Sequence, residues 1–265
     1  MIFLRRLSID ARRGAYPFNS AAITPLNMAF TSPITILVGE NGSGKSTLIE
    51  ALARALRLPA IGQDDAARDQ TLAGLDPLSE AMKLTFSVRT RRGFFLRAED
   101  FFGFTRRVSA MQAGLRGDLA RVEREYAGKS RFTQDQARMA YESSLSGLDG
   151  RYGADPDACS HGEAFLNLFS ARLNGRGLYL LDEPEAPLSP LRQLALSTMI
   201  LEKRAESQFI IATHSPILMA LPGAVIWSLD SAPARPCAYE SLESVALLRD
   251  FLNAPARFME RLGRE

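Results

Sequence analysis

Short, nearly continuous apolar runs alternate along the chain with longer segments in which apolar residues recur every three or four positions. The short runs are typical of strands buried on both faces, and they comprise residues 34–38, 177–184, 209–214 and 224–229. The longer segments are typical of amphipathic helices, and they comprise residues 45–58, 189–206 and 241–261. This alternation predicts an α/β fold in which a mostly parallel central sheet is covered by helices on both faces.

Three further strands are predicted in the first hundred residues. Residues 2–10, 83–90 and 93–99 have the apolar and β-branched content of strands, with Arg91 and Arg92 near the turn between the last two. We expect an antiparallel β portion on this N-terminal side. Residues 60–76 are rich in Asp, Gly, Ala and Gln, which predicts an exposed loop.

A charged helical segment follows at residues 108–148, and a turn-rich linker at 150–156. We expect glycines to break this helical segment, and they are Gly114, Gly117, Gly128 and Gly147. No heptad repeat is sustained there, which excludes a long coiled coil. The chain of 265 residues is therefore predicted to be one domain, residues 1–265, with a helical insertion at about 100–158.

Composition is that of an ordinary soluble globular protein, with 46% hydrophobic and 23% charged residues. The N-terminus has no apolar signal core, and no run of 18 apolar residues predicts a membrane span. Cys159 and Cys237 have neither metal-ligand spacing nor a disulfide pattern, which fits a reducing compartment. We therefore expect a cytoplasmic protein.

The net charge of +2 gives no argument for nucleic acid, but the charge is unevenly distributed. Residues 86–131 contain eleven Lys and Arg against five Asp and Glu. A solvated face of an inserted segment would account for this excess. A basic surface for nucleic acid or for an acidic partner would account for it as well.

The most specific motif lies between the first buried run and the first amphipathic segment. It predicts nucleotide-binding residues at Gly39, Asn41, Gly42, Ser43, Gly44, Lys45, Ser46 and Thr47. A strand, a glycine-rich loop and a helix in this order form a phosphate-binding loop, because the glycines let backbone N–H groups converge on phosphate oxygens. Lys45 is expected to contact the β- and γ-phosphates, and the Ser46 hydroxyl to ligate Mg²⁺. The rival interpretation is a glycine-rich turn without a ligand.

Two other buried runs end in polar side chains, and the carboxyl ends of parallel strands meet at one edge of a sheet. Asp182 suits a carboxylate that holds Mg²⁺ beside Ser46. Glu183 is placed to accept a proton from an attacking water, although paired acids can also cap a helix. His214 is a candidate to bind the γ-phosphate and orient that water, and the alternative is a structural histidine. Lys45, Glu183 and His214 are therefore the predicted catalytic residues.

Taken together, these motifs resemble those of ABC-type ATPases, and within that class the head domains of SMC-type and RecF-like ATPases. The matching segments are the loop 39–47, Ser160-His-Gly-Glu163, Leu178–Glu183, Ala186-Pro-Leu-Ser189 and His214. Ser160 precedes Asp182 by 22 residues and Asp182 precedes His214 by 32, as is usual for the class. Lys45 and Ser160 are only 115 residues apart, so the chain is most similar to small bacterial AAA/ABC ATPases without coiled-coil arms.

The resemblance implies that two subunits sandwich two ATP molecules. Ser160 and the backbone of Gly162 would then complete the γ-phosphate site of the other subunit. Ser160 and Glu163 also fit a capping box, and both roles are compatible. Transporter ATPases usually have Ser-Gly-Gly-Gln here, and His161 and Glu163 depart from that pattern.

Three further assignments depend on weaker signals. No glutamine of the metal-sensing Q-loop is recognisable, and Glu99 is the candidate metal residue; the alternative is an exposed acid at a strand end. Tyr16 or Phe18 is a candidate to stack on the adenine, and core packing would explain either aromatic equally well. Arg12 and Arg13 follow the first strand, where related heads have basic residues near the phosphates.

The sequence therefore predicts a Mg²⁺-dependent ATPase that forms an ATP-sandwiched homodimer, with DNA or a protein effector as candidate partners. One alternative is the nucleotide-binding subunit of an ABC transporter, against which the atypical signature and the missing Q-loop count. Another is a slow ATP-dependent switch in DNA repair or phage defence, supported by the basic residues of 86–131 alone.

Overall fold

Nine strands form two sheets in the computed structural model, which describes residues 1–11, 14–61, 70–152, 161–173 and 175–262. The strands are β1 (Leu4–Ile9), β2 (Leu26–Ala29), β3 (Ile34–Val38), β4 (Lys83–Phe86), β5 (Gly93–Arg97), β6 (Leu178–Asp182), β7 (Gln208–Ala212), β8 (Val225–Ser228) and β9 (Arg235–Cys237). The larger sheet has the order β5-β6-β7-β3-β8-β9, and only β9 is antiparallel to its neighbour. The smaller sheet is antiparallel, in the order β2-β1-β4. The predicted α/β class with a mostly parallel sheet and an antiparallel β portion is confirmed.

Nine α-helices lie in the described part of the chain, and the last two follow the final strand. They are α1 (Lys45–Leu56), α2 (Asp76–Ala81), α3 (Ala98–Glu125), α4 (Arg131–Tyr152), α5 (His161–Arg172), α6 (Pro190–Lys203), α7 (Pro216–Met219), α8 (Glu243–Asn253) and α9 (Pro255–Leu262). Pro190 and Pro216 lie in the first turns of α6 and α7, where a proline ring costs no hydrogen bond. The helix predicted over 241–261 is two helices, because Pro255 begins a new helix directly after Ala254.

The larger sheet separates two apolar clusters, so its central strands are apolar on both faces. Alternate residues of each strand belong to opposite clusters; in β6, for example, Leu180 packs towards α1 and the small sheet, and Leu181 towards α5 and α6. The period of two explains this division, because successive side chains of a strand point to opposite faces. Burial on both faces holds the carboxyl ends of β3, β6 and β7 along one edge.

Two predicted strands belong to different sheets. Residues 83–86 pair with β1 in the small sheet, whereas residues 93–97 pair with β6 at the edge of the large one. The intervening residues therefore cross between sheets instead of forming a hairpin turn. Strand pairing of this kind depends on contacts distant in sequence, which local patterns do not reveal.

The segment between β5 and α5 forms two long antiparallel helices, α3 and α4, that pack against each other. The prediction that glycines break this segment is wrong at Gly114, Gly117 and Gly147, which lie within the helices. Only Gly128 lies in the connection between them. A helical glycine costs roughly 1 kcal/mol relative to alanine, which packing between two helices can offset.

The loop predicted over 60–76 is partly helical, since Gln70–Leu75 forms a 3-10 helix. Its last residue, Leu75, is buried and packs into the core beneath α1 and α2. The linker predicted at 150–156 begins within α4, which extends to Tyr152. The remaining residues of these two predictions, 62–69 and 153–156, lie outside the described ones.

Candidate functional site

The glycine-rich loop runs from the end of β3 to the first turn of α1. Gly39, Gly42 and Gly44 have φ angles of 154°, 82° and 101°, a region that L-residues with a side chain rarely adopt. A Cβ on Gly39 would lie 2.6 Å from Ser43 Oγ, and a Cβ on Gly44 would lie 2.6 Å from the Ile23 side chain. Glycine is therefore required at these positions to bend the backbone around the N-terminus of α1, where N–H groups favour an anion.

Lys45, the first residue of α1, extends its ammonium over this loop. Its Nζ donates to the carbonyl oxygens of Gly39 and Glu40 at 2.7 and 3.1 Å, and the residue is only 4% exposed. Burial lowers the pKa of Lys45, and the nearby carboxylates of Glu183 and Asp182 oppose that shift. The ammonium is thus a buried positive charge at the mouth of the loop, where phosphate oxygens would be stabilised.

Asp182 ends β6 beside the first turn of α1, and its Oδ1 accepts a hydrogen bond from Ser46 Oγ at 3.2 Å. The residue is 4% exposed, and burial, followed by the charge of Glu50, raises the pKa of its carboxyl to about 7. A buried carboxylate next to a hydroxyl fits a divalent cation, because the cation would offset the cost of desolvating the charge. Among the described residues, no group of three His, Cys, Asp or Glu could hold a metal ion alone.

Glu183 follows Asp182 with a φ of 48°, the left-handed conformation that is uncommon for a residue with a side chain. Its carboxylate Oε1 lies 3.8 Å from Nε2 of His214, which follows β7. Both side chains are accessible, at 45% and 40% exposure. The fold thus brings together the two residues that were predicted from separate strand ends.

Glu185, a residue that the sequence did not single out, supports the loop after β7. Its Oε1 accepts hydrogen bonds from the backbone N–H groups of His214 and Ser215, at 2.7 and 3.2 Å. The side chain of Ser215 in turn donates to Gln193 Oε1 at 2.6 Å. These contacts hold His214 in place through its backbone. No local pattern could identify Glu185, since its partners are 29 and 30 residues away.

A cavity of about 460 Å³ adjoins the glycine-rich loop. Tyr16, Gly42, Gly44 and Thr47 line it together with residues 229–232. Tyr16 is 58% exposed, so one ring face can receive a planar ligand. Phe18, the other predicted stacking residue, is half-buried against the core instead. The geometry therefore favours Tyr16 as the aromatic residue of this cavity.

The signature-like segment lies at the start of α5. Ser160 lies outside the described residues. A Cβ on Gly162 would lie 2.8 Å from Arg192 Cδ and 2.9 Å from the carbonyl oxygen of Pro187. Glu163 lies 3.7 Å from Arg192 in an ion pair. Gly162 therefore packs against the segment after β6, and its nearest neighbours are not residues of the glycine-rich loop.

Glu99 lies on the first turn of α3, because β5 ends at Arg97 and the helix begins at Ala98. Its side chain is exposed, and its charge contributes to a raised pKa of Glu50, for which burial is the largest cause. The placement of Glu99 at the end of a strand is thus wrong, since a helix starts there, and its role as a metal residue stays a prediction. Arg12 and Arg13 lie outside the described residues.

The basic segment 86–131 is not one surface. Arg91 and Arg92 precede β5, whereas Arg106 and Arg107 lie beyond its other end, on α3. A strand of five residues spans about 17 Å, so the two pairs are well separated. The fold instead joins two arginines of the β4–β5 connection with one of α1 and one directly after α1, around a cavity of about 680 Å³. These arginines are Arg54, Arg57, Arg89 and Arg91.

Comparison with protein families gives two matches, which overlap and together extend from residue 18 to residue 220. Residues 18–130 match a family model described as "AAA domain". Residues 109–220 match a family model described as "AAA domain, putative AbiEii toxin, Type IV TA system". Among curated proteins, none matches the sequence.

Solved structures similar to this chain include SMC heads and transporter cassettes. One is the Smc head domain of Pyrococcus furiosus, which has an extended coiled coil and is bound to the C-terminal domain of ScpA. Its sequence is 14% identical to this chain, and the match covers 95% of this chain and 100% of that one, with a TM-score of 0.47. A nucleotide-free ATP-binding cassette from an ABC transporter is 17% identical, with coverage of 88% and 90% and a TM-score of 0.49.

None of the helices in the described part of the chain combines the length and the apolar character needed to cross a membrane.

Proposed function

We propose that this chain, whose motifs resemble those of ABC-type P-loop ATPases and which matches AAA-domain family models, binds ATP with Mg²⁺, hydrolyses it, and forms an ATP-sandwiched homodimer. The AAA fold by itself supports nucleotide binding and hydrolysis. The observation that carries the proposal is the meeting of two pairs at one edge of the sheet. Ser46 Oγ lies 3.2 Å from Asp182 Oδ1, and Glu183 Oε1 lies 3.8 Å from His214 Nε2. A phosphate-binding loop alone would suit binding, whereas the second pair favours hydrolysis.

Each residue of the site has one role in this proposal. Lys45 and the N–H groups of the glycine-rich loop bind the phosphates. Ser46 and Asp182 would hold Mg²⁺, which neutralises charge on the phosphate oxygens when it is bound. Glu183 accepts a proton from the attacking water, and His214 donates a hydrogen bond to the γ-phosphate.

The homodimer is supported by the position of Gly162. Gly162 packs against Pro187 and Arg192 of its own subunit, and by the resemblance to signature segments its segment would complete the nucleotide site of another copy. Leu191 and Leu194 on the neighbouring α6 are exposed apolar side chains, which a second copy would cover. Tyr16 would stack on the adenine in the cavity beside the loop. An effector, either a protein or a nucleic acid, would respond to the dimer.

The substitution Glu183→Gln tests this proposal. The amide cannot accept the proton, so we expect turnover to fall by at least about a hundredfold while ATP binding persists. The protein should then elute as a dimer with ATP and as a monomer without it, measured by size-exclusion chromatography with light scattering.

Lys45→Ala is the matched control, because it removes the phosphate-binding ammonium and should leave a monomer under both conditions. A Glu183→Gln protein that binds ATP but remains monomeric at every concentration would exclude the sandwich dimer. Unchanged turnover in that variant would exclude Glu183 as the base.

A second candidate is a slow ATP-dependent switch that acts on a nucleic acid, and the basic cavity favours it. Arg57, Arg89 and Arg91 are exposed around this cavity, and its floor includes the half-buried ring of Phe86. Arg89 lies over that ring, 5.4 Å from its centroid. Guanidinium groups beside an aromatic ring suit a phosphate and a base together.

A further inference from the structure

A buried cluster of charged side chains lies at the carboxyl end of β5, and it has no role in the site described so far. Arg97 donates from Nη1 to Glu50 Oε1 at 2.9 Å and from Nη2 to Asp100 Oδ1 at 3.0 Å. A third hydrogen bond joins Arg97 Nε to Asp100 Oδ2 at 3.3 Å. The three side chains are only 12–17% exposed. Charge-assisted, bidentate contacts of this kind fix side-chain geometry as well as neutralise charge.

This cluster adjoins the elements that carry the cation-binding residues. Glu50 lies one helical turn after Ser46 on α1, so the two residues share a face of the helix. Arg97 is the direct neighbour of Asp182 in the parallel pairing of β5 with β6. Glu50 and Asp182 are thus two buried carboxylates that repel each other, with Arg97 beside both.

We propose that Arg97 is a positioning residue for the divalent cation, because it pairs with Glu50 and leaves Asp182 as the carboxylate that faces Ser46. The inference rests on the proposed function, since the cation is the one that accompanies ATP. Without Arg97, Glu50 is a buried, unpaired carboxylate next to Asp182. It then competes with Asp182 for the cation and disturbs the Ser46–Asp182 contact.

The contacts also explain why an arginine occupies this position. Its planar fork reaches a carboxylate on α1 and another on α3 at the same time. A lysine would keep the charge but present a single ammonium, which cannot hold both carboxylates in this geometry. Arg97→Lys is therefore expected to keep the charge balance and to lose part of the positioning.

The test separates cation-dependent from cation-independent nucleotide binding. Binding of a non-hydrolysable ATP analogue to the full chain is measured by calorimetry, once with Mg²⁺ and once with EDTA. In wild-type protein, Mg²⁺ should increase the affinity. In Arg97→Met we expect this increase to shrink by about tenfold or more, while affinity in EDTA changes by less than about twofold. Arg97→Lys should give an intermediate loss.

Arg138→Met is the matched control. Arg138 also contacts two carboxylates, those of Glu123 and Glu142, but on the α3–α4 helices. Its substitution should leave the Mg²⁺-dependent increase unchanged. Thermal unfolding by circular dichroism shows which variants are folded at the assay temperature, and Arg97→Lys remains informative if Arg97→Met is unfolded.

Glu50→Gln added to Arg97→Met supplies the rescue. Removing the unpaired charge should restore most of the Mg²⁺-dependent increase, and Mn²⁺ binding followed by electron paramagnetic resonance should recover in parallel. The inference is overturned if Arg97→Met and Arg97→Lys keep the full increase, or if the double variant is no better than Arg97→Met. Wild-type protein that fails to bind the analogue at all would instead contradict the proposed function.

Discussion

At the residue scale, the chemistry of Asp182 depends on where β6 ends. Its carboxyl group is 4% exposed and accepts a hydrogen bond from Ser46, yet burial and the charge of Glu50 raise its pKa to about 7. The charged form is therefore destabilised in the absence of a cation. The raised pKa predicts that folding stability depends on pH.

The sign of that dependence follows from the two pKa values. An unfolded aspartate titrates near 3.8, and the folded one near 7, so the folded state binds the extra proton between these values. The stabilisation from this group is fully present below about pH 4 and is lost as pH rises through 7. The free energy of unfolding is measured with urea in the presence of EDTA. Between pH 5 and pH 8, that of the wild type should fall by roughly 1–3 kcal/mol relative to that of Asp182→Asn.

Asp10→Asn is the control for this measurement. Asp10 pairs with Lys83 at the surface, where both side chains are more than half exposed. An exposed ion pair contributes little to folding stability. The unfolding free energy of Asp10→Asn should therefore depend on pH in the same way as that of the wild type. If the difference between wild type and Asp182→Asn is the same at both pH values, the raised pKa of Asp182 is contradicted.

At the scale of elements, the start of α5 is held against the segment that follows β6. Gly162 has no room for a side chain, because a Cβ there would lie within 3 Å of Pro187 O and of the Arg192 side chain. The glycines inside α3 differ, since a Cβ on Gly114 or Gly117 would meet nothing within 4 Å. Glycine is thus required by packing at one helix and is merely tolerated in the other.

Alanine substitutions at these positions should have opposite effects. Gly162→Ala forces α5 away from a backbone carbonyl, and we expect it to lower the unfolding free energy by about 1–3 kcal/mol. Gly114→Ala adds a better helix former in open space and should raise it by about 0.5–1 kcal/mol. Urea unfolding curves at neutral pH measure both changes. A stabilised Gly162→Ala protein would show that α5 does not approach Pro187 this closely.

At the scale of the whole molecule, arginines that are neighbours in the sequence segment 86–131 lie on different surfaces of the fold. Arg91 joins Arg54 of α1 and Arg57, the residue after α1, around one cavity, while Arg106 and Arg107 lie on α3, beyond the other end of β5. Proximity in sequence therefore does not define the basic surface. If a nucleic acid binds this protein, the cavity is the surface that offers phosphate and base contacts together.

The corresponding prediction compares two arginine sets by fluorescence anisotropy with a labelled single-stranded oligonucleotide. Joint alanine substitution of Arg57, Arg89 and Arg91 should weaken binding at least about tenfold and lower the salt slope by about one per lost phosphate contact. Substitution of Arg106 and Arg107 should have a smaller effect. Equal losses from both sets, or no binding by wild type, would contradict the nucleic-acid candidate.

Much of the candidate site could be predicted because its motifs are local. The loop 39–47 identifies itself through glycine spacing between a strand and a helix, and Asp182 and His214 each follow an apolar run. Parallel strands then bring their carboxyl ends together as a general property of α/β sheets. The placement of Glu99 at the end of a strand was wrong, because a helix begins at Ala98.

The sequence by itself determined the fold class, the phosphate-binding loop and the acids at the strand ends, because local periodicity and spacing encode them. Only the tertiary structure decided which sheet each of β4 and β5 joins, and that Tyr16 rather than Phe18 borders the cavity beside the loop. It also decided that Arg97 pairs with Glu50, and that Glu185 binds the backbone N–H of His214. The physical reason is that burial and charge pairing depend on neighbours 29 to 47 residues away, which no local pattern specifies.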